Sequence, residues 1–202
     1  MNKKYEIFPT SIWKFKVSNY KTLNKNIISE VYKLKENDND GLTKSNRGGW
    51  HSYQSSKLFP KLSKIISNSL CEILGVNEYV KPTMLWANIN NKNDFNLGHD
   101  HMSAYYSGVY YVKIPKNSGN LYFLNPIWTP PLQKRFSSLM DLDSNDKEIE
   151  FEAKEGDLYL FGGKVPHRVG RSLSDEDRIS ISFNFNFDDI KKQFEGVEYY
   201  NG

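Results

Sequence analysis

The 202-residue chain has very little cysteine and no long apolar run. Its single cysteine, Cys71, excludes an intrachain disulfide framework and a cysteine-rich zinc module. No stretch approaches the roughly 18 to 20 consecutive apolar residues that cross a bilayer, so we expect no membrane partner. The basic first residues do not continue into the apolar core of a signal sequence, and a cytoplasmic location is therefore expected.

An excess of positive charge is also missing. Lys and Arg total 27 against 24 Asp and Glu, which leaves a net charge of +3. This is too small for the clustered cations of a nucleic-acid footprint, so we expect no nucleic-acid partner. Apolar residues make up 38% of the chain, which is typical of a globular protein and predicts a single domain over 1–202. Two scarce residue types remain, four histidines and five arginines, and both cluster.

Two segments show helical periodicity. Apolar residues recur at helical spacing over 22–36 and again over 60–74. The second segment has Pro60 in its first turn and Gly75 after its end, which are typical helix boundaries. Both segments are therefore predicted to be amphipathic helices.

The rest of the chain favours strands. Aromatic and β-branched residues alternate with polar ones between Ile7 and Val17. Short runs of the same composition, separated by turn residues, follow at 83–90, 105–114, 119–124, 157–161 and 178–187. The chain is thus expected to be mainly β, supported by the helices. The irregular stretch 125–148, with Trp128 and Arg135, is interpreted as a loop that could cover a site. The favoured alternative is that Trp128 packs against the core.

Two histidines, His99 and His101, stand close before the strand that begins at 105. In a strand, alternate side chains share a face, so both rings could meet at one point while Asp100 faces away. Imidazole is the commonest protein metal ligand, and His167 could supply a third. The pair alone is equally consistent with packed, hydrogen-bonded histidines. His51 has no partner at ligand spacing and is interpreted as structural or substrate-facing.

A possible carboxylate site follows His167. Arg178 and Ser180 are two residues apart in a predicted strand, so both can face one side. A guanidinium offers paired donors to a carboxylate, and the serine hydroxyl adds another. Such a pair would suit a ligand that places a carboxylate on Arg178 and binds a metal at its other end. The alternative is that Arg178 pairs with Asp175 or Glu176.

This order of residues resembles the Fe(II)- and 2-oxoglutarate-dependent oxygenases, in particular a subgroup known from phage and marine bacterial sequences. A phage origin would place the protein in the host cytoplasm. The similarity extends along nearly the whole chain in short motifs: Ile7-Phe8-Pro9-Thr10, Gly48-Gly49-Trp50-His51-Ser52, Trp86-Ala87-Asn88, His99-Asp100-His101, Ser107-Gly108-Val109-Tyr110-Tyr111, Gly156-Asp157-Leu158, Phe161 and Arg178-Ile179-Ser180-Ile181-Ser182-Phe183-Asn184.

The resemblance implies a mainly β (α+β) fold, a double-stranded β-helix or jelly roll supported by two or three α-helices. It implies that His99 and His167 bind Fe(II), with 2-oxoglutarate and O2 as co-substrates. His101 stands where most of the superfamily has a carboxylate, and we expect it to be the third ligand. Asp100 could replace it only if the strand were distorted.

The resemblance also suggests residues for the co-substrate. Arg178, assisted by Ser180, would bind the distal carboxylate of 2-oxoglutarate, and Tyr110 stands where a tyrosine often donates to the same group. Asn88 and Asn90 could donate toward the co-substrate. Core packing is the alternative for Tyr110, and a structural role at a strand end is the alternative for the two asparagines.

The expected activity is hydroxylation of a small-molecule or peptide substrate, for example a peptidyl side chain such as proline. One alternative is a cupin-like dioxygenase with a three-histidine metal site and no 2-oxoglutarate. His101 favours that reading, whereas Arg178 and Ser180 oppose it. A second alternative is a non-catalytic jelly-roll module. The sequence leaves the oligomeric state open, a homodimer included.

Overall fold

A computed structural model of the protein describes residues 9–77, 79–126 and 147–186. The helices are α1 (Tyr20–Asn37) and α2 (Pro60–Leu74). The strands are β1 (Ile12–Lys16), β2 (Asn46–Arg47), β3 (Trp50–His51), β4 (Met84–Asn90), β5 (Phe95–His99), β6 (Ala104–Lys113), β7 (Leu121–Leu124), β8 (Glu148–Phe151), β9 (Asp157–Gly162), β10 (His167–Val169) and β11 (Arg178–Asn186).

The strands form two sheets. The larger has the order β1-β9-β6-β11-β4-β3, and the smaller has the order β2-β5-β10-β7-β8. Neighbouring strands in both sheets run antiparallel. Residues of both sheets line one cavity between them. This is the jelly roll that the sequence predicts, supported by two described helices.

Strand β11 separates the core from the cavity. Its odd-numbered residues from 179 to 185 are Ile or Phe, are completely buried, and belong to the main apolar core. Its even-numbered residues from 178 to 186 are Arg, Ser or Asn, and they line the cavity. Because a strand directs successive side chains to opposite faces, this alternation puts a polar row on the cavity side of the sheet.

Both predicted helices are confirmed and cover the outer face of the larger sheet. Helix α1 begins two residues before the predicted start, and it buries Ile27 and Val31. Helix α2 has the predicted bounds. Its end is set by Gly75, whose φ of 66° is readily adopted only by glycine, and whose backbone N–H caps the last turn. The two helices supply the apolar partners that β11 needs on that face.

Several strands were not predicted. Strand β5 is not among the predicted runs, because its five residues are too few to show a clear periodicity, and its pairing with β10 is not visible in the sequence. Strand β10 and the two-residue strands β2 and β3 were also not predicted, because they are too short to show a periodicity. Strand β8 begins inside the stretch 125–148 that was interpreted as a loop. Trp128, Arg135 and residues 7–8 of the first motif lie outside the described residues.

Tyr110 joins α1 to the sheet. Its hydroxyl donates to Asn24 Oδ1 over 2.6 Å, and Asn24 Nδ2 donates to the backbone carbonyl of Val112 over 2.6 Å. Tyr110 is completely buried, and Asn24 is nearly so. The pair thus satisfies polar groups in the interface between α1 and β6, on the face of the sheet opposite the cavity.

We expect Tyr110→Phe to lower the free energy of unfolding by about 1–3 kcal/mol, because Asn24 Oδ1 loses its buried donor. Urea denaturation measures this change, and binding of 2-oxoglutarate should stay at the wild-type level. A variant of unchanged stability with weaker 2-oxoglutarate binding would contradict this placement of Tyr110.

Candidate active site

The cavity between the sheets has a volume of about 770 Å³. Three histidines line it from the smaller sheet and the loop after β5, and the polar row of β11 lines it from the larger sheet. Trp86 of β4 and Tyr111 of β6 complete the wall beside that row. A cavity of this size with a few convergent polar groups is typical of a small-molecule site.

His99, His101 and His167 converge in this cavity. One potential ligand atom of each lies within 4.8 Å of the others. The ring centroids are 4.4 Å apart for His99 and His167, 5.1 Å for His99 and His101, and 5.2 Å for His101 and His167. In the part of the chain that the structure describes, no carboxylate joins this cluster, and Asp100 is exposed.

The convergence has a different cause from the one predicted. Strand β5 ends at His99, so His101 is not its alternate neighbour on a strand. His99 is instead the antiparallel partner of His167 on β10. The backbone N–H of His101 donates to the carbonyl of Gly163 over 2.8 Å, and this bond anchors the loop that returns the third ring to the other two.

Two of the rings have a fixed orientation. Nδ1 of His99 lies 2.7 Å from the carbonyl oxygen of Leu97, and Nδ1 of His167 lies 2.9 Å from that of Val165. A carbonyl oxygen only accepts, so each Nδ1 must carry the proton that it donates. The Nε2 atoms of His99 and His167 therefore keep their lone pairs, which is the form that binds a metal.

The three rings are neutral near pH 7. Burial lowers the pKa of His99 below its ordinary value of 6.5. Burial and the neighbouring His99 lower the pKa of His101 to about 4 and that of His167 to about 3. Protonation of one ring is costly because its charge would be desolvated and close to the other rings. Neutral imidazoles in one cluster are ready metal ligands.

Arg178 is buried at the first position of the polar row, with only 1% of its surface exposed. Nη1 donates to the carbonyl of Ser118 over 2.9 Å, and Nη2 donates to Asn90 Oδ1 over 2.8 Å. The Nε atom is buried and has no hydrogen-bond partner. Burial lowers the pKa of Arg178, although a guanidinium stays charged at neutral pH. An unpaired buried cation with a free donor fits an anionic ligand.

The alternative partners of Arg178 are engaged elsewhere. Asp175 forms an ion pair with Lys92 at 2.8 Å, and Glu176 forms one with Lys113 at 3.1 Å. Within residues 9–77, 79–126 and 147–186, the structure shows no ion pair of Arg178 with a carboxylate. The alternative that Arg178 pairs with Asp175 or Glu176 is therefore not what the structure shows.

Tyr111, rather than Tyr110, faces the cavity. The structure places the hydroxyl of Tyr110 on Asn24, at the opposite face of β6. The hydroxyl of Tyr111 is buried without a hydrogen-bond partner, and it interacts electrostatically with Arg178. Burial raises the pKa of Tyr111, so it remains a neutral donor. The sequence analysis assigned Tyr110 to the co-substrate instead of Tyr111, because the sequence does not define which residues of β6 face the cavity.

The other predicted residues have distinct positions. Ser180 lies in register between Asn88 on one side and Tyr111 on the other, and all three line the cavity. The Nδ2 group of Asn88 donates to the hydroxyl of Ser182 over 3.1 Å. Asn90 accepts from Arg178 and so holds the guanidinium in place.

His51 and Trp86 form part of the wall near His101. The ring of His51 stacks on Trp86 with centroids 5.6 Å apart and an interplanar angle of 12°, and Trp86 is tilted against His101 at 5.9 Å. Nδ1 of His51 donates to the carbonyl of Ser52, and burial lowers its pKa. His51 lines the cavity outside the three-histidine cluster.

In this jelly roll, one cavity contains three converged imidazoles that could hold a metal ion and an arginine without an anionic partner. The model of the family described as "Putative 2OG-Fe(II) oxygenase" matches residues 84–184, which is half of the chain. The chain therefore belongs to this family of 2-oxoglutarate-dependent oxygenases. Its co-substrate is 2-oxoglutarate and its metal is Fe(II).

Solved structures with low sequence identity share the fold. A prolyl-4-hydroxylase from Pseudomonas putida has a TM-score of 0.60 at 13% identity, over 88% of this chain and 94% of its own. HygX from Streptomyces hygroscopicus, solved with nickel and 2-oxoglutarate bound, has a TM-score of 0.61 at 14% identity, over 88% and 83%. A Trichoplax adhaerens prolyl hydroxylase, solved with a hypoxia inducible factor peptide, has a TM-score of 0.57 at 12% identity, over 93% and 87%.

No curated protein matches the sequence. None of the helices among the described residues is long and apolar enough to cross a membrane.

We expect a divalent metal to bind with almost no release of protons at pH 7, because the lowered pKa values leave the three imidazoles already deprotonated. Calorimetric titration with Co(II) in two buffers of different ionisation enthalpy measures the number of protons released. The affinity should also change little around pH 6.5, where an ordinary imidazole titrates. Release of about one proton or more per metal would contradict the neutral cluster.

Proposed function

We propose that His99, His101 and His167 are the Fe(II) ligands, and that Arg178 and Tyr111 bind the distal carboxylate of 2-oxoglutarate. The observation that supports this assignment is the presence, in one cavity, of three neutral converged imidazoles and of a buried guanidinium without an anionic partner. When bound, the Fe(II)–2-oxoglutarate pair supplies oxidative decarboxylation coupled to oxidation of a substrate C–H bond.

The polar row gives the co-substrate a direction. The Arg178 Nε and the Tyr111 hydroxyl are buried donors without partners, and a carboxylate at that end would satisfy both. Ser180, the next member of the row, adds a hydroxyl beside Asn88. Asn90 holds the guanidinium through Nη2, and Nε remains without a protein partner. Asn88 is assigned to the wall beside the co-substrate, and Asn90 to the positioning of Arg178.

Charge balance favours a dicarboxylate as the co-substrate of this cavity. Three neutral imidazoles leave the charge of a divalent metal uncompensated by its protein ligands, whereas a carboxylate ligand would remove one unit. The dianion 2-oxoglutarate brings two negative charges, one carboxylate toward the metal and one toward Arg178. The buried cations at both ends of the cavity therefore favour a short dicarboxylate over a neutral ligand.

The remaining cavity wall accommodates the primary substrate. It includes Trp86, Met84 and Met102, of which Met102 is 64% exposed at the opening. These side chains offer apolar contacts and exclude water near the histidines, while His51 adds a polar group at the wall. We propose hydroxylation of a small molecule or of a peptide side chain, since one prolyl hydroxylase of the same fold was solved in complex with a peptide.

An anaerobic titration tests the function. We expect Fe(II) to bind in a 1:1 ratio, and subsequent 2-oxoglutarate to produce a weak visible metal-to-ligand charge-transfer band. Iron uptake without such a band would contradict the proposal and favour a three-histidine dioxygenase that does not use 2-oxoglutarate. Failure to bind iron would favour a non-catalytic jelly-roll module.

Arg178→Lys tests the co-substrate assignment. The variant keeps the positive charge but loses the planar donor pair and Nε, so the Kd for 2-oxoglutarate should rise about 10- to 100-fold while Fe(II) affinity is retained. Arg171→Lys is the matched control, because Arg171 is exposed and stacks on Phe95. Equal 2-oxoglutarate affinity in Arg178→Lys and wild type would count against the role of Arg178.

A further inference from the structure

His101 differs from the other two histidines in what holds its ring. Nδ1 of His99 and of His167 donates to a backbone carbonyl, and a carbonyl cannot change its role. Nδ1 of His101 instead lies 3.4 Å from the side-chain amide of Asn184. A side-chain amide carries an NH2 donor and an oxygen acceptor of nearly equal size, so it fits in either of two orientations. The orientation decides whether Nδ1 or Nε2 of His101 carries the proton.

The amide of Asn184 is held from behind by Ser107. Asn184 and Ser107 are cross-strand partners on β11 and β6, and both side chains are buried. The Ser107 hydroxyl lies 2.7 Å from Asn184 Oδ1 and 3.2 Å from the carbonyl oxygen of Phe183. In this arrangement the hydroxyl donates to the amide oxygen, and the amide NH2 is turned toward His101.

This orientation opposes metal binding through Nε2. A donor turned toward Nδ1 favours a lone pair there, and the proton of the neutral ring then lies on Nε2. Reversal of the amide removes the conflict and leaves every group satisfied. The Ser107 hydroxyl then donates to the Phe183 carbonyl and accepts from Asn184 Nδ2, while Asn184 Oδ1 accepts from Nδ1–H of His101.

We propose that Asn184 is a positioning residue for the metal site: with its amide reversed and anchored on Ser107, it accepts the Nδ1 proton of His101 and so presents Nε2 to the metal. The inference rests on the proposed function, since it requires His101 to be a ligand. It makes the third ligand, which stands where a carboxylate is usual, dependent on the buried side chain of Asn184 on β11 rather than on the backbone of its own loop.

Asn184→Leu and Asn184→Asp separate this role from simple packing. Leucine fills a similar volume without a hydrogen bond, and a carboxylate accepts from Nδ1–H but cannot donate. We expect the Kd for Co(II), measured by calorimetry on the purified protein, to rise about 10- to 100-fold in Asn184→Leu and to stay at or below the wild-type value in Asn184→Asp. A packing role predicts the opposite order, since a buried carboxylate is the more disruptive substitution.

Asn186→Asp is the matched control for added charge. Asn186 lies two residues further along the same face of β11, and its Oδ1 has no hydrogen-bond partner. A Kd for Co(II) that falls as far in Asn186→Asp as in Asn184→Asp would assign the effect to added charge alone and overturn the role of Asn184. Ser107→Ala, which removes the anchor of the amide, should weaken Co(II) binding by less than Asn184→Leu.

The outcomes distinguish this inference from the proposed function. Wild-type affinity in Asn184→Leu, or equal losses in Asn184→Leu and Asn184→Asp, would overturn the role of Asn184 and leave the three-histidine site intact. Absence of Co(II) binding by the wild-type protein would overturn the site itself and the inference with it.

Discussion

Strand β11 lies inside the larger sheet with both faces buried, and this constraint organises the molecule. One face is apolar and packs under the helices, whereas the other consists of Arg, Ser and Asn side chains in the cavity. A buried polar row is unfavourable unless its members have partners. Asn90, Ser107 and Asn88 supply some of these partners from the adjacent strands. Arg178 Nε and the Tyr111 hydroxyl remain without one, and we propose that a ligand supplies it.

The same constraint separates the two ends of the site electrostatically. At one end Arg178 keeps a buried charge, whose desolvation costs several kcal/mol and is offset only in part by neutral acceptors. At the other end the three imidazoles are neutral, because burial and mutual repulsion disfavour their protonation. We propose that a dicarboxylate compensates both ends, with one carboxylate at a metal on the histidines and the other at the guanidinium.

The sequence predicted the helices and the main strands because their apolar periodicity is strong, as in residues 60–74 and 178–187. It predicted that His99, His101 and His167 would meet, although the physical reason was different. The cross-strand pair of His99 and His167 depends on β5 and β10, whose short polar sequences acquire strand structure only from their pairing. Long-range pairing of this kind leaves no local periodic signal.

The finer assignments depended on register, which a sequence does not define. Tyr110 and Tyr111 are adjacent and chemically identical, and only the register of β6 decides which one faces Arg178. Asn184 carried no local signal beyond its place on the same face as Arg178 and Ser180. The alternation along β11 would have indicated that Asn184 lines the cavity, if it had been known that the even-numbered residues face the cavity.

We propose that three imidazoles and no protein carboxylate hold the metal. X-ray absorption at the iron edge of the anaerobic Fe(II)-loaded protein, before addition of 2-oxoglutarate, counts the histidine ligands directly through their multiple-scattering pattern. The structure predicts three imidazoles, with water in the remaining positions. A spectrum that shows two imidazoles and a carboxylate oxygen, such as Asp100 would provide, would contradict the three-histidine ligand set.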